Sequence, residues 1–582
     1  MYRKSFTRLI TLAVLLAMLL TACAQPMPIA PAPEAAAPSG EQAAAGESTA
    51  APGEIAPGGV WTRILGADAS NLNPILYDDS SSSEVLSVIY PSLIGQDPVT
   101  GALVPDGSIS ESWSTSEDGL IWTFKLRDGI TWSDGDPVDS ADFKFSYDAI
   151  ASDVVESPRE YVWDQIESIE TPDPLTVVVT FKTVKCDALT DVGLGLLPSH
   201  LYAADFSDVA NSPDNEAPRV SAGPFNFQSW TRDDNVIVVR NDSYWEGAPH
   251  MDGMIYKVVP DAGARLAQLQ SGEVDISGLQ PSQITAVEGN PDITRYSWLD
   301  DGYTYIGINQ ANPDNPQPGR DEDGNLIPQD PHPILGDVKV RQAIAHALDY
   351  DSIIEDIFFG QGYRLPANVL PAIDWAYNSE IEPYAFDLEM AKSLLEEAGW
   401  VDSDGDGVRE KDGVVLDLSL VTNSSNSTRM DLGAYVQDQL NSIGFNIDFQ
   451  GVDFGTLLEQ LDGQATDMYI IGWTGLGSDP NDKPFWHSED DVPGSGFNSI
   501  SYQNERLEEL LTQGYSVAGC EPEERGPIYK EIQQIIHDDL PYIFVTGTKG
   551  NIGYRNRWGG LDPQPWSYYY NVHEWYEKSL QP

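Results

Sequence analysis

The alternation of helical and strand patterns in the C-terminal half restricts the fold of this chain more than any other feature. Amphipathic helical spacing recurs over residues 388–398, 430–442 and 525–537, and apolar strand patterns occupy residues 415–421, 445–449, 468–471 and 541–545. Helices that alternate with apolar strands are typical of βαβ units and of a largely parallel sheet. The sequence therefore predicts an α/β fold.

The N-terminal half adds further strands, and the chain is too long to enclose a single core. Residues 121–127 alternate between apolar and polar side chains with period two, and residues 175–181 and 255–259 also have strand patterns. Single hydrophobic cores stop growing beyond roughly 250–300 residues. A chain of 582 residues is therefore expected to form two or more lobes.

The first 58 residues have the composition of an export signal followed by a tether. Basic residues precede an apolar run at residues 9–20, which is too short to span a bilayer comfortably. The sequence Leu-Thr-Ala-Cys at residues 20–23 resembles the bacterial lipobox, so residues 1–23 are predicted to be a lipoprotein signal peptide with Cys23 as the lipid anchor. Residues 24–58 are rich in Ala, Pro and Gly and predict a flexible linker.

The charge balance excludes several classes of partner. The chain has 32 Lys and Arg against 91 Asp and Glu, a formal net charge of -59. Nucleic-acid binding requires clustered cations, and an anionic lipid surface would repel this chain. We therefore expect no nucleic-acid partner, and membrane contact through the lipid anchor only. The acidic residues are spread along the chain, which is typical of a solvated surface.

Two cysteines remain after the anchor. Cys186 and Cys520 could pair outside the cell, but their separation gives no spacing that implies a disulfide framework. The sequence contains no CxxC motif and no Cys/His cluster, so it offers no support for a zinc site.

One loop has part of a calcium-binding pattern. Asp402, Asp404 and Asp406 occupy the first, third and fifth positions of an EF-type loop, with a glycine at the sixth, and Glu410 falls at the ninth. Gly413 stands at the twelfth position, where a bidentate glutamate belongs. The other interpretation is a tight link between a helix and the next strand. Calcium is the only cofactor that the sequence suggests.

An ordered series of short motifs resembles the bacterial extracellular solute-binding proteins of family 5, the dipeptide- and oligopeptide-binding class that serves ABC importers. The motifs, in chain order, are LNP at 72–74, WTFKLRDG at 122–129, WSDG at 132–135, AGPF at 222–225, RNDSYW at 240–245, SGEVD at 271–275, VRQA at 340–343, GW at 472–473 and DLPY at 539–542. Each motif is weak by itself, whereas the ordered set covers nearly all of the chain after the linker.

The resemblance implies a two-lobed periplasmic-binding-protein-like α/β fold with a central ligand cleft. Lobe I would comprise residues 59–305 and 542–582, with an additional subdomain at about 92–200, and lobe II residues 306–541. The first lobe would therefore be discontinuous. The implied function is to capture a solute by lobe closure, as an extracytoplasmic monomer, and to deliver it to the permease subunits of an ABC importer.

The resemblance and the positions of strand ends together predict a ligand site. Residues 78–82 match the family's ligand-contacting segment, and the other positions lie where strands should end at the cleft. Gly472 would allow close approach of a ligand, and Trp473 would offer a flat apolar face; the other interpretation of Trp473 is a buried side chain at a strand end. The predicted contacts are Asp78, Asp79, Ser80, Ser82, Gly223, Tyr303, Tyr305, Asn423, Gly472, Trp473, Thr474, Leu476 and Asp479.

Leu476 departs from the family's pattern. In dipeptide- and oligopeptide-binding relatives, the residue three positions after this tryptophan is an aspartate that receives the peptide's α-amine. A leucine removes that partner, and a buried ammonium without a carboxylate is unfavourable. Asp479 could take over, although its place before Pro480 favours a turn role. The ligand class therefore stays open among peptides held in another way, oligosaccharides and opine-like compounds.

Other function classes fit the sequence less well. Two carboxylates across a cleft suffice for glycoside hydrolysis, so a secreted carboxylate-based glycoside hydrolase is one alternative, and a surface adhesin or receptor is another. With 91 acidic residues any single pair is uninformative, and the chain has no Gly-x-Ser-x-Gly, His-Glu-x-x-His or P-loop motif. We therefore expect a binding protein and no enzymatic activity.

Overall fold

The structure is a computed structural model that describes residues 55–77, 79–494, 496–518, 520–567 and 569–581, without the side chains of Tyr161, Asp164 and Asp191. Cys23, Asp78, the predicted signal peptide and most of the predicted linker lie outside these ranges. The described residues belong to one compact unit. None of their helices combines the length and the apolar character that crossing a bilayer would require.

Strands occur along the whole of the described chain. In chain order they are β1 Val60–Leu65, β2 Gly95–Gln96, β3 Leu103–Val104, β4 Ser110–Thr115, β5 Ile121–Leu126, β6 Ile166–Asp173, β7 Thr176–Phe181, β8 Phe225–Thr231, β9 Asn235–Arg240, β10 Gly253–Val258, β11 Ile276–Gly278, β12 Ile293–Ile308, β13 Gly362–Tyr363, β14 Glu410–Lys411, β15 Val414–Val415, β16 Asp417–Asn423, β17 Asn446–Val452, β18 Met468–Trp473, β19 Tyr542–Arg555, β20 Trp558–Gly559 and β21 Tyr576–Glu577.

Most of the longer helices lie in the second half. In chain order the α-helices are α1 Ser80–Leu86, α2 Ser140–Ile150, α3 Glu160–Asp164, α4 Ala188–Asp191, α5 Ala262–Ser271, α6 Ile284–Val287, α7 Val338–His346, α8 Tyr350–Ser352, α9 Leu388–Glu397, α10 Ser427–Asn441, α11 Phe454–Asp462, α12 Lys483–Trp486, α13 Glu505–Tyr515 and α14 Pro522–Asp539. Short 3₁₀ turns and one π turn at Ile353–Ile357 complete the set.

Aspartate and asparagine side chains begin many of these helices. Asp261, Asp337, Asp387 and Asp453 cap α5, α7, α9 and α11, and Asn426 caps α10; each side chain accepts a hydrogen bond from a backbone N–H of the first turn. Such caps satisfy donors that the helix itself leaves unpaired, and carboxylates also suit the positive end of the helix dipole. Part of the acidity of the chain therefore has a local structural role.

A large mixed sheet forms the centre of the molecule. Its strands lie in the order β17-β16-β18-β12-β19-β11-β1-β10-β9-β8, and β13 adds to β19. The expected parallel pairing occurs where β16 meets β17 and β18. It does not extend to the neighbouring strands: β12 pairs antiparallel with both β18 and β19. Parallel pairing occurs again where β1 meets β10 and β11. The prediction of a largely parallel sheet was therefore wrong at the centre of the sheet, because β12 and β19 are antiparallel to each other and β12 is antiparallel to β18.

The strands β12 and β19 connect two groups of hydrophobic cores. Ile293–Leu299 of β12 pair with the last part of β19, and residues 303–308 of β12 pair with β18 and with the first part of β19; the register shifts between Leu299 and Tyr303. One core is built from residues 61–276 together with residues 552–575. The adjoining cores of the other group are built from residues 303–545. The lobe boundaries at residues 305/306 and 541/542 stay a prediction.

A separate four-stranded sheet lies within the region predicted as an additional subdomain. Its order is β4-β5-β7-β6. In β5, Trp122, Phe124 and Leu126 are buried and the residues between them are exposed or half-buried, as the period of two predicts. This sheet carries the segment after β7 that forms one wall of the cavity described below.

Candidate functional site

A cavity with a volume of about 340 Å³ includes predicted ligand contacts in its lining. One wall comes from residues 94–103 and 187–193, and the opposite wall is the loop after β18, residues 476–481. Its lining residues are Ile94, Gly95, Gln96, Leu103, Asp187, Leu189, Thr190, Gly193, Leu476, Gly477, Ser478, Asp479 and Asn481. Two of these are aspartates, and none of the described lining residues is a lysine or an arginine.

The loop after β18 is positioned by β12 and by two glycines. The amide of Leu476 donates to the carbonyl oxygen of Asp301 at 3.2 Å. This bond holds the loop against β12, two residues before Tyr303, where β12 begins to pair with β18. Gly475 and Gly477 have φ of +70° and +76°, a region that disfavours other residues, so the chain turns on both sides of Leu476. The half-buried Leu476 side chain is thereby presented to the cavity.

Asp479 is held in a bidentate ion pair. The guanidinium of Arg525, in α14, donates to both carboxylate oxygens of Asp479 at 2.6 and 2.8 Å. Burial disfavours the charged arginine, but the hydrogen bonds and charge of Asp479 outweigh it and raise the pKa of Arg525. Asp479 therefore lines the cavity with its charge already compensated.

Asp187 faces Asp479 from the other wall. Its carboxylate lies 3.4 Å from the ammonium of Lys185, and it accepts a hydrogen bond from the side-chain amide of Asn481 at 3.3 Å. Burial raises the pKa of Asp187; Lys185 acts against this rise and Asp479 adds to it. The contact between Asp187 and Asn481 joins the two walls directly.

A smaller cavity of about 20 Å³ adjoins the first and shares Leu476, Asp479 and Asn481 with it. Tyr303 and Asp482 also line it, together with Asn368, Val369, Leu370, Ile373 and Pro480. Asp482 is buried and accepts hydrogen bonds from the Asn368 amide at 2.5 Å and from the Trp486 indole at 2.6 Å. Burial raises the pKa of Asp482 to about 6, against the effect of these two hydrogen bonds.

A disulfide lies beside the larger cavity. Cys186, which directly precedes Asp187, is bonded to Cys520, and their Cα atoms are 5.2 Å apart. The amide of Cys186 also donates to the carbonyl oxygen of Tyr515 at the end of α13. The two cysteines that the sequence left without a defined pairing thus connect the segment after β7 to the loop between α13 and α14.

The structure brings some of the predicted contacts to the cavities and places others around an aromatic cluster. Tyr303, Leu476 and Asp479 line one or both cavities. Trp473 stacks on Phe485 with ring centroids 4.3 Å apart and on Tyr305 at 6.4 Å. These rings lie close to the cavities but are not among their described lining residues.

Three further predicted positions of this region are not among the described lining residues of either cavity. Asn423 accepts a hydrogen bond from Arg429 at 3.0 Å. A Cβ on Gly472 would lie 2.8 Å from the carbonyl oxygen of Tyr303, so the close approach of strand β12 accounts for this glycine. Thr474 is exposed.

The predicted contacts at residues 78–82 lie at the start of α1, where Asp79 caps the helix. Asp79 accepts hydrogen bonds from the amide of Ser82 at 2.8 Å and from the hydroxyls of Ser70 and Ser82 at 2.5 Å. Burial acts to raise the pKa of Asp79, but these hydrogen bonds lower it overall. Ser80 is exposed at the first position of α1, and Asp78 lies outside the described residues.

Gly223 is placed by packing against the chain after α1. Its amide donates to the carbonyl oxygen of Ile89 at 2.9 Å, and a Cβ there would lie 2.5 Å from the carbonyl oxygen of Val88. Gly223, Asp79, Ser80 and Ser82 are not among the described residues that line the two cavities. Their role as ligand contacts stays a prediction.

The candidate calcium loop brings three of its four predicted ligands together. Carboxylate oxygens of Asp402, Asp404 and Glu410 lie within 4.8 Å of one another, whereas Asp406 is not part of this group. Both oxygens of Asp402 accept from loop amides, and Glu410 accepts from the amide of Ser403 at 2.9 Å. These hydrogen bonds also explain the loop as a tight link, and calcium binding stays a prediction.

Sequence reasoning missed Asp187, Asn368, Asn481, Asp482 and Arg525. Asn481 and Asp482 lie two and three residues after the predicted contact Asp479 and could have been found by extending the loop. The other three come from distant segments, and no local pattern marks them.

Comparisons with known proteins agree with this architecture. A family model for bacterial extracellular solute-binding proteins, family 5 middle region, matches residues 105–491. The chain is 26% identical over 511 residues to the oligopeptide-binding protein AppA of Bacillus subtilis, covering 87% of this chain and 89% of that protein. It is 25% identical over 505 residues to the dipeptide-binding protein of Escherichia coli, covering 81% and 86%.

The solved structure of Bacillus subtilis AppA with a nonapeptide has a TM-score of 0.68 to this chain at 26% identity, covering 90% of this chain and 100% of that one. A binding protein from A. tumefacien R10 in complex with agropinic acid has a TM-score of 0.64 at 22% identity, covering 88% and 97%. The two-lobed α/β fold expected from the sequence is thus confirmed.

Proposed function

The chain belongs to the bacterial extracellular solute-binding proteins of family 5, and we propose that it captures a small polar solute in the cavity between Asp187 and Asp479 and delivers it to the permease of an ABC importer. The observation that carries this proposal is the cavity itself. Its volume of about 340 Å³ lies in the range of small-ligand sites, and both of its walls carry polar groups.

The chemistry of the lining favours a neutral or cationic solute. The described lining residues include Asp187 and Asp479 and no basic residue. An anionic solute would lie beside two carboxylates, each already paired with one cation, and would find no unpaired guanidinium among the described lining residues, because Arg525 is bound to Asp479. Peptides and peptide-like compounds, which the relatives' names describe as their ligands, fit this chemistry, and so do oligosaccharides.

We propose Tyr303, Leu476 and Asp479 as ligand contacts, with Trp473 as an aromatic support behind them. The stacking of Trp473 on Phe485 fixes the end of β18, from which the loop starts. Leu476 lines both cavities, so a larger side chain at this position should obstruct both of them.

A calorimetric screen of the purified mature protein against di- and oligopeptides, oligosaccharides and opine-like compounds tests the proposal. A member of one class should bind at micromolar concentration or tighter, and Leu476→Trp, which adds an indole ring to the lining of both cavities, should weaken that binding at least tenfold. Leu458→Trp is the matched control because Leu458 is exposed on α11. Binding that survives Leu476→Trp would place the site elsewhere and overturn the proposal.

We also propose that the protein works outside the cytoplasm, held to the membrane through Cys23. The family is extracellular, and the disulfide between Cys186 and Cys520 is of a kind that persists in oxidising compartments. Mass spectrometry of the mature N-terminus should find a lipid-modified Cys23. An unmodified Cys23, or cleavage at another position, would contradict the anchor without affecting the proposed solute site.

A further inference from the structure

A third cavity, with a volume of about 450 Å³, lies against the first half of β12. Residues 296–299 of that strand line it, together with Val99, Ala372, Lys549 and Pro565. It shares no described lining residue with the two cavities beside Leu476. Its volume lies in the range of small-ligand sites, and the proposed solute site does not include it.

Two aromatic rings form one side of this cavity. Tyr296 and Trp298 are two positions apart on β12, which places them on the same face of the strand. Their ring centroids are 5.6 Å apart and the rings are within 16° of parallel. Trp298 lies opposite Gly550 of β19, where a Cβ would be 2.2 Å from the indole ring. The absence of a side chain at Gly550 therefore lets the indole lie against β19.

Carboxylates adjoin both rings. Asp300 accepts a hydrogen bond from the side chain of Trp298, whose only donor is the indole N–H. Burial and the charge of Asp562 raise the pKa of Tyr296, which places that second carboxylate near the phenol. Asp300 is half-buried, and burial and the charge of Asp301 raise its pKa. Within the described chain, no cation forms an ion pair with Asp300.

The cation among the described lining residues, Lys549, leaves its strand on the other face. It lies opposite Leu299, whereas the adjoining Gly550 lies opposite Trp298. Successive side chains of a strand point to opposite faces, so Lys549 starts from the face that does not carry the indole ring. Its ammonium lies 3.5 Å from the carbonyl oxygen of Gly360. The charges nearest the two rings are therefore negative.

We propose that this cavity is a second ligand site, separate from the solute cavity, for a planar organic cation such as an aromatic amidinium or a cationic nitrogen heterocycle. The cation stacks on the faces of Trp298 and Tyr296, and the carboxylates of Asp300 and Asp562 balance its charge. This inference does not rest on the proposed function, because none of its residues belongs to the solute site.

A planar cation fits this cavity better than a neutral or an anionic ring. The faces of aromatic rings are negative and attract cations, and tryptophan does so most strongly. Parallel rings offer flat faces, on which a planar cation has more contact than a spherical one. An anionic ring would be repelled by Asp300 and Asp562. The formal net charge of -59 also concentrates cations at the protein surface.

The test compares three probes of the same shape and different charge: benzamidinium, benzamide and benzoate. Saturation-transfer NMR titrations, which detect weakly bound ligands, give the apparent Kd of each probe for the wild type. Benzamidinium should bind saturably, benzamide about fivefold more weakly or worse, and benzoate not at all. No saturable binding of benzamidinium, or equal binding of benzamidinium and benzamide, would overturn the proposal.

Two substitutions separate the ring from the charge. Trp298→Leu removes the indole face, and Asp300→Asn keeps an oxygen that can accept from the indole but removes the charge. Each should weaken benzamidinium binding about fivefold or more. Trp113→Leu is the matched control, because Trp113 is a half-buried tryptophan of β4 and is not among the described residues that line this cavity. Equal affinities of Trp298→Leu and Trp113→Leu would show that the indole does not hold the cation.

The variant Leu476→Trp distinguishes this site from the solute cavity. It should leave the apparent Kd of benzamidinium unchanged, because Leu476 is not among the described lining residues of the third cavity. Loss of benzamidinium binding in Leu476→Trp would place the cation in the solute cavity and overturn the second site. The melting temperature of each unliganded variant shows whether it is folded, and Asp300→Asn remains decisive if Trp298→Leu is not.

Discussion

At the scale of single residues, the aspartates of this protein differ in what their carboxylates contact. Asp79 and Asp453 cap helices. Asp479 pairs with a guanidinium, whereas Asp482 keeps one buried oxygen without a partner in the described chain. The same residue type thus supports local structure, fixes a loop or presents a charge to a cavity, according to its neighbours.

Loss of Arg525 should destabilise the protein strongly. Arg525→Met leaves Asp479 ionised and unpaired opposite Asp187, and breaking a buried ion pair in this way costs about 3–5 kcal/mol. Denaturant unfolding measures the change in free energy. Arg506→Met is the control, because the Arg506 pairs with Glu509 and Glu531 are exposed, and it should hardly change the midpoint. Equal effects of the two substitutions would contradict the assigned role of Arg525.

Asp491 should make stability depend on pH. Burial raises its pKa to about 7, against hydrogen bonds from Gln464 and Ser501, while the unfolded value is 3.8. The folded protein therefore binds this proton more readily, so the stabilising contribution is present below the unfolded pKa and is lost as the pH rises through 7. The free energy of unfolding of Asp491→Asn minus that of the wild type should therefore increase from pH 5 to 8, by at most about 1.4 kcal/mol per pH unit.

Denaturant unfolding at each pH from 5 to 8 checks this difference. Asp453→Asn serves as the control, because hydrogen bonds from Thr456 lower the pKa of Asp453 and keep it ionised throughout this range. A constant difference between Asp491→Asn and wild type would show that Asp491 titrates at its ordinary pKa.

At the scale of elements, the pairing of β12 with β18 fixes where the loop of the site begins. Tyr303 lies opposite Trp473 in this pairing, directly after the register shift in β12. Gly302, at that shift, lies so close to β18 that a Cβ there would be 2.5 Å from the carbonyl oxygen of Trp473. A backbone atom cannot move aside as a flexible side chain can.

Gly302→Ala should therefore destabilise the protein by about 1–3 kcal/mol, the usual cost of overpacking, and should weaken solute binding because it displaces the loop at Leu476. Gly278→Ala in β11 is the matched control, since a Cβ at Gly278 would meet nothing within 4 Å. Unfolding curves and calorimetric titration of both variants check this. Normal affinity in Gly302→Ala would mean that β12 does not position the site.

At the scale of the whole molecule, the disulfide joins the two walls of the cavity. Cys186 adjoins Asp187 on one wall, and Cys520 precedes α14, whose Arg525 holds Asp479 on the other. The strands β12 and β19 already connect the two groups of cores. A closed covalent loop therefore restricts how far the walls can separate.

The double substitution Cys186→Ser/Cys520→Ser should lower the free energy of unfolding by about 2–5 kcal/mol. The disulfide joins residues that are 334 positions apart, and without this cross-link the unfolded chain gains conformational entropy. It should also increase the radius of gyration of the unliganded protein, measured by X-ray scattering, and speed solute release. Wild type treated with a reductant should behave in the same way. Unchanged scattering and release would show that the disulfide does not limit opening.

The sequence by itself determined the features that depend on neighbouring residues. Period-two alternation located β5, and helical spacing located α9 and α10 to within a few residues, because side-chain direction follows from local backbone geometry. The ordered motifs determined the family and hence the two-lobed fold. Parts of the site loop were also found, since Leu476 and Asp479 follow the end of β18.

Only the tertiary structure decided which distant groups meet. Arg525 reaches Asp479 from 46 residues away, Asn368 reaches Asp482 from 114 residues away, and Cys186 pairs with Cys520 across 334. The polar first half of β12 has no clear strand pattern and is a strand because β19 supplies its hydrogen bonds. Contacts of this kind depend on how elements pack, and packing is not encoded in any short window of the chain.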